Sequence, residues 1–118
     1  WLDTTALADR HGAAMHVDAS IDAFCLTIDQ PLMWPSVLAW LERLILRHGD
    51  ALLRMKGIIQ RQGNDRPVLI HSVRHQLHPP VELPAWPQGD KRSTRLIFIT
   101  DGLPRAAVVA EMPPPPGG

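Results

Sequence analysis

Apolar residues along the chain fall in two rhythms. From Val17 to Ile28 they alternate, with Phe24, Leu26 and Ile28 on one face and Cys25 and Thr27 on the other, the period of a half-buried strand. Gln30-Pro31 ends that run. From Ser36 the spacing becomes that of one helical face, with Val37, Leu38, Leu41, Leu44 and Ile45 on it and Glu42, Arg43 and Arg47 opposite. Pro35 suits the first turn of this helix, where its missing N–H is not needed, and Gly49 suits the C-cap. Trp34 and Trp40 flank the stripe and read as packing residues.

A second strand is predicted from Leu52 to about Arg61, a turn at Gln62-Gly63-Asn64-Asp65, and a third strand from Pro67 to about His75. His78-Pro79-Pro80 and Pro84-Ala85-Trp86-Pro87 offer too few N–H groups to continue a ladder, so a loop runs to about Arg92. Thr94 to Thr100 is a β-rich fourth strand, and Pro104 to Met112 a short closing helix. Residues 1–16 read as a lead-in, with a short helix at Thr4 to Asp9, and residues 113–118 as a stiff, unstructured Pro/Gly tail. The order β-α-β-β-β(-α) predicts an α+β domain over residues 17–112: an antiparallel sheet of about four strands with one main helix and a shorter one packed on it.

At 118 residues the chain is long enough for one core. Twelve Lys+Arg balance twelve Asp+Glu, which removes the electrostatic case for nucleic acid or an anionic membrane. Apolar runs of a few residues cannot span a bilayer. The lone Cys25 has no internal disulfide partner and fits a reducing, cytoplasmic setting. The chain opens on Trp1 with neither an initiator Met nor a signal peptide, as expected of a fragment of a longer protein.

Candidate chemistry is sparse. Arg54 and Lys56, two apart on a strand, share one face, with Leu53, Met55 and Gly57 on the other. They read equally as a solvated strand face or as a surface meeting a partner. His71, His75 and His78 are candidate ligands for zinc or cobalt. On an extended strand, however, His71 and His75 lie about 13 Å apart, too far for one ion at a ligand distance of about 2 Å. His75 and His78 could meet only across a bend before Pro79. Trp86, between prolines, is a candidate contact residue. Cys25 reads as a small core residue, and Arg95 and Asp101 as ordinary strand-end polarity.

Several of these pieces, in this order, resemble the C-terminal domain of the CobW family of P-loop GTPases, which includes nitrile hydratase activators. Pro31 to Leu46 with Trp40-Leu41 resembles the family helix, and Leu53-Arg54-Met55-Lys56-Gly57-Ile58 the family's Arg-x-Lys-Gly strand. Val68 to Val73 with His71, and Arg95-Leu96-Ile97-Phe98-Ile99, are similar to its last core strands, and Trp86 to its loop tryptophan. The resemblance implies a regulatory and interaction domain that packs on an N-terminal GTPase domain of the same protein. That protein would use GTP, magnesium and zinc or cobalt to deliver metal to a client, including for cobalamin biosynthesis. It also implies that Arg54, Lys56 and Trp86 lie at the domain interface. This chain has no Gly-x-x-x-x-Gly-Lys-[Ser/Thr] loop and no Cys-x-Cys-Cys motif, so it is not itself expected to be an enzyme or to carry a cofactor. The competing reading is a free-standing small ligand-binding module with a ferredoxin-like layout, binding on the sheet or in the Pro79 to Arg92 loop.

Overall fold

The computed structural model describes residues 20–113. Strand β1 (Ile21–Ile28) is followed by helix α1 (Trp34–His48), strands β2 (Leu52–Ile59) and β3 (Val68–Val73), two-residue strands β4 (Gln76–Leu77) and β5 (Val81–Glu82), strand β6 (Thr94–Asp101) and helix α2 (Arg105–Ala110). The strands form one antiparallel sheet in the order β1-β6-β2-β3-β4, with β5 also paired to β3. The expected α+β architecture is therefore present, its four principal strands extended at one edge by two short ones. The lead-in helix at Thr4 to Asp9, the start of strand one at 17–19 and most of the tail lie outside the described residues.

Alternation along each strand sorts the sheet into two faces. Phe24 and Leu26 of β1, Met55 and Ile59 of β2, Val68 and Ile70 of β3, and Leu96 and Phe98 of β6 form one buried cluster with Val37, Trp40, Leu41, Leu44 and Ile45 of α1 and Val108 of α2. Both helices thus pack on the same face. Phe98 sits at the centre, stacked on Phe24 with ring centroids 5.2 Å apart and tilted against Trp40 at 6.4 Å. Trp40, expected beside the helix stripe, lies within it and is fully buried, whereas Leu38 is half-buried.

Two local features depart from the sequence expectation. Gly49 caps α1 in a right-handed conformation (φ −55°), so glycine is not there for a left-handed turn. A Cβ at that position would meet the exposed His75 ring, 2.6 Å from Cγ and Cε1, so a larger residue there would have to displace that ring from Asp50. In β2 the register against β6 shifts between Leu52 and Arg54, the signature of a β-bulge. The extra residue returns Leu52 to the core face opposite Thr100, while Leu53 is only half-buried.

Candidate functional site

The second face of the sheet carries neither described helix. Register places Arg54 and Lys56 of β2 beside Ile99 and Ile97 of β6, with His71 of β3 opposite Lys56. Arg54 and Lys56 are exposed, and Ile97, Ile99, Leu69 and His71 are half-buried. Ala23 and Ile58, on the same face, are buried. Elsewhere in the domain Arg47 pairs with Glu111, Arg61 and Arg66 with Glu82, and Arg95 with Asp90, while Arg43 and Arg74 donate to the Glu111 and Asp50 carbonyls. Arg54 and Lys56 have no ion-pair partner among the described residues. Their shared face, read from period-2 geometry, is the one on which neither described helix packs.

Two shallow clefts flank Lys56. One, of about 160 Å³, lies between Arg54, Lys56, Ile97 and Ile99. The other, of about 260 Å³, is lined by Lys56, Leu69, His71, His78, Pro79 and Val81. The second exists because the chain reverses at Arg74-His75, with Arg74 in the left-handed region (φ 51°), so that β4 runs back along β3. The His78 N–H then donates to the His71 carbonyl at 3.0 Å, and the two imidazoles stack with centroids 4.7 Å apart and planes within 6°.

The three histidines are thereby separated. His71 and His78 come together, while His75 turns away to place Nε2 2.9 Å from Asp50 Oδ1. Lone pairs of imidazole lie in the ring plane, so parallel rings do not aim at one ion. No group of three or more His, Cys, Asp or Glu among the described residues is placed to hold a metal. His71 Nε2 is screened from water and has no hydrogen-bond partner. Burial pushes the His71 pKa below its ordinary value, and the positive charges of His78, Lys56 and Arg54 act in the same direction.

Trp86, half-buried, lies in the loop between β5 and β6. That loop also forms the wall of a third, polar cleft of about 630 Å³ lined by Thr27, Asp29, Gln88, Gly89, Asp90, Lys91, Ser93 and Arg95. Arg95 is more than strand-end polarity, because its guanidinium holds both Asp90 carboxylate oxygens at 2.7 and 2.6 Å. Their spacing of five residues carries no sequence signal, since the turn that closes it (Gly89 at φ 80°, Arg92 at φ 56°) joins a loop to a strand. Burial pushes the Asp90 carboxyl up, but hydrogen bonds from Arg95 and the Arg92 N–H, with the Arg95 charge, hold it below the usual carboxylate value. The His71–His78 stack was equally hidden, because Arg74-His75 contains none of the Gly, Asn or Pro residues that announce a hairpin.

Comparison with known families decides the identity. The cobalamin synthesis protein cobW C-terminal domain matches residues 21–112, which is almost the whole described chain. The chain belongs to the CobW C-terminal domain family. The matched unit is the CobW C-terminal domain, not a catalytic GTPase domain. Among solved structures it resembles the Zn(II)-bound YjiA GTPase from E. coli, with a TM-score of 0.70 and 25% identity over 78% of this chain and 28% of that one. A Zn(II)-bound triple mutant of YjiA GTPase matches with a TM-score of 0.71 at the same identity and coverage. The chain thus spans little more than a quarter of those proteins. Comparison with curated proteins finds no match. No helix among the described residues is long and apolar enough to cross a membrane.

Proposed function

We propose that this domain is the regulatory and interaction module of a CobW-like GTPase that delivers a divalent metal, zinc or cobalt, to a client protein in the cytoplasm, including for cobalamin biosynthesis. Family membership and the likeness to a Zn(II)-bound GTPase support the setting. GTP and magnesium belong to the N-terminal GTPase domain, because this chain offers no loop for their phosphates. The observation that carries the reading is the sheet face on which neither described helix packs. Arg54 and Lys56, without an ion-pair partner among the described residues, border the half-buried Ile97 and Ile99, a polar rim around an apolar floor of the kind that interfaces use. In this reading Arg54 and Lys56 meet the GTPase domain, and Trp86 contacts it from the β5–β6 loop.

Metal at the histidines of this domain is then a weak surface site or one shared with the GTPase domain, since no third donor stands beside His71 and His78 among the described residues. Zinc titration of the 118-residue chain alone should then show no tight stoichiometric binding. The docking reading is tested by charge reversal: Lys56→Glu in the full-length protein should weaken nucleotide-dependent packing of the two domains. Packing unchanged by that substitution overturns it. The polar 630 Å³ cleft is the observation that favours the alternative, a small ligand-binding module. A ligand captured by that cleft in a chain that docks on no GTPase domain would establish that alternative.

A further inference from the structure

The cleft between Lys56 and the stacked histidines has a chemistry of its own. Lys56 lines it from β2, His71 from β3 and His78 from the β4–β5 connection, while Leu69, Pro79 and Val81 supply apolar walls. Arg54 adds its charge from two residues along β2. Among the described residues no carboxylate lines the cleft. The nearest in sequence, Glu82, sits one residue past Val81 on the opposite side of β5, held by Arg61 and Arg66. Among the described residues, the charges that act on His71 are those of His78, Lys56 and Arg54, all positive when charged. One ring nitrogen of His71 is buried and unsatisfied, and the Lys56 ammonium has no counter-charge among the described residues.

We propose that the protein surface docking on this face inserts a carboxylate, the side chain of an aspartate or glutamate, between Lys56 and the His71–His78 pair. The proposal rests on the docking reading above and names the chemistry of what docks. An ammonium and an imidazole suit a single negative charge. Phosphate is the poorer fit, because it is held best by a cluster of free backbone N–H groups, and the β2 and β3 backbones here are paired in the ladder. The apolar walls of Leu69, Pro79 and Val81 suit the aliphatic stem of an acidic side chain better than a hydrated ion.

A carboxylate in this position reverses the local potential. It favours the imidazolium that Lys56, Arg54 and the neighbouring ring otherwise disfavour, so docking takes up a proton. The bound state gains on the free state as pH falls from about 8 towards 6, the range over which histidine titrates.

The test uses the 118-residue chain, with NMR following the imidazole resonances of His71 and His78 through a pH titration. The titration is run alone, with a tetraglutamate peptide, with a tetraglutamine peptide, and with inorganic phosphate at matched ionic strength. The expected result is a rise in the apparent His71 pKa of about half a pH unit with tetraglutamate, a fraction of what a fixed opposite charge at close range produces. The rise should be absent with tetraglutamine and lost in Lys56→Gln. No rise with tetraglutamate, or a rise that survives Lys56→Gln, overturns the proposal. A rise of equal size with phosphate overturns the choice of carboxylate. The docking reading is judged separately by Lys56→Glu in the full-length protein. If that reading fails while the tetraglutamate effect holds, the carboxylate receptor stands and the GTPase domain is removed as its source.

Discussion

Gly57 and Leu96 face each other across the β2–β6 ladder so closely that no side chain fits between them. A Cβ on Gly57 would press into Leu96 Cδ2 and lie 2.9 Å from the Arg95 carbonyl oxygen. The glycine of the Arg-x-Lys-Gly strand is thus a packing requirement: its place on the core face, opposite Leu96 and Ile70, is filled from β6. Arg54 and Lys56, on the alternate face, are free of that constraint.

Gly57→Ala should therefore destabilise the domain, although alanine itself suits a strand no worse than glycine. Leu96 can shift but the Arg95 carbonyl cannot without breaking the ladder, so the cost should be about 1–3 kcal/mol, typical of overpacking. Urea unfolding measures it as a lower midpoint at unchanged slope. Leu96→Ala itself opens a cavity, but in the same background it makes room for the new methyl, so the double mutant should lose less than the sum of the two singles. A double mutant no better than the sum of its singles would show that the contact with Leu96 is not the cause.

His71 gives the domain a stability that depends on pH near neutrality. Its folded pKa lies below the ordinary value of 6.5, so between the two the unfolded chain binds more protons than the folded one. Stability from this group is complete above about pH 6.5 and is lost as pH falls through that window. The urea midpoint should decline on acidification from about pH 7.5 to 5.5, and His71→Gln should flatten the decline. A slope as steep in His71→Gln as in the natural chain would place the titrating group elsewhere.

The parts of the fold that were legible in the sequence are those with enough periodicity to declare a face. Val37, Leu41, Leu44 and Ile45 mark the buried side of α1, and alternation in β1, β2 and β6 sorts core from open face. Trp40 was harder, because a large aromatic at the margin of a stripe can turn in either direction and only Phe98 beneath it settles which. The edge strands β4 and β5 span two residues each, too short for any period, and they flank prolines that argue against a ladder. The open-face basic pair was legible for the same reason as the strand. The His71–His78 stack was not, since it depends on a two-residue reversal with Arg74 in a conformation more typical of glycine.

Trp40 is fully buried, yet its indole N–H has no hydrogen-bond partner. Replacing it with phenylalanine removes an unsatisfied donor along with part of the ring volume, and the two effects oppose each other. Trp40→Phe should cost less than about 2 kcal/mol, against about 3–5 kcal/mol for Trp40→Ala, which leaves a cavity above Phe98. Thermal or urea unfolding of the pair separates the cases. Equal losses would mean that the indole N–H is satisfied in solution and that its removal is what the domain feels.

Asp90 and Arg95 test whether a loop this rich in charged residues is held by one contact. The Arg95 guanidinium is largely buried and makes two bonds to one carboxylate, which in turn accepts from the Arg92 N–H. Asp90→Ala leaves the guanidinium buried without its counter-charge, and the loss should be about 2–3 kcal/mol, the scale of hydrogen bonds to charged groups. Because the folded Asp90 pKa lies below the ordinary 3.8, its contribution is present above that value and is lost as pH falls through the folded pKa. Acid unfolding below pH 3.8 should therefore be steeper in the natural chain than in Asp90→Ala, while His71→Gln leaves that acid limb unchanged and alters only the limb that begins below pH 6.5. Measuring both variants across the two windows separates the contributions. If Asp90→Ala costs nothing at neutral pH, the loop is held by its packing and the ion pair only decorates it.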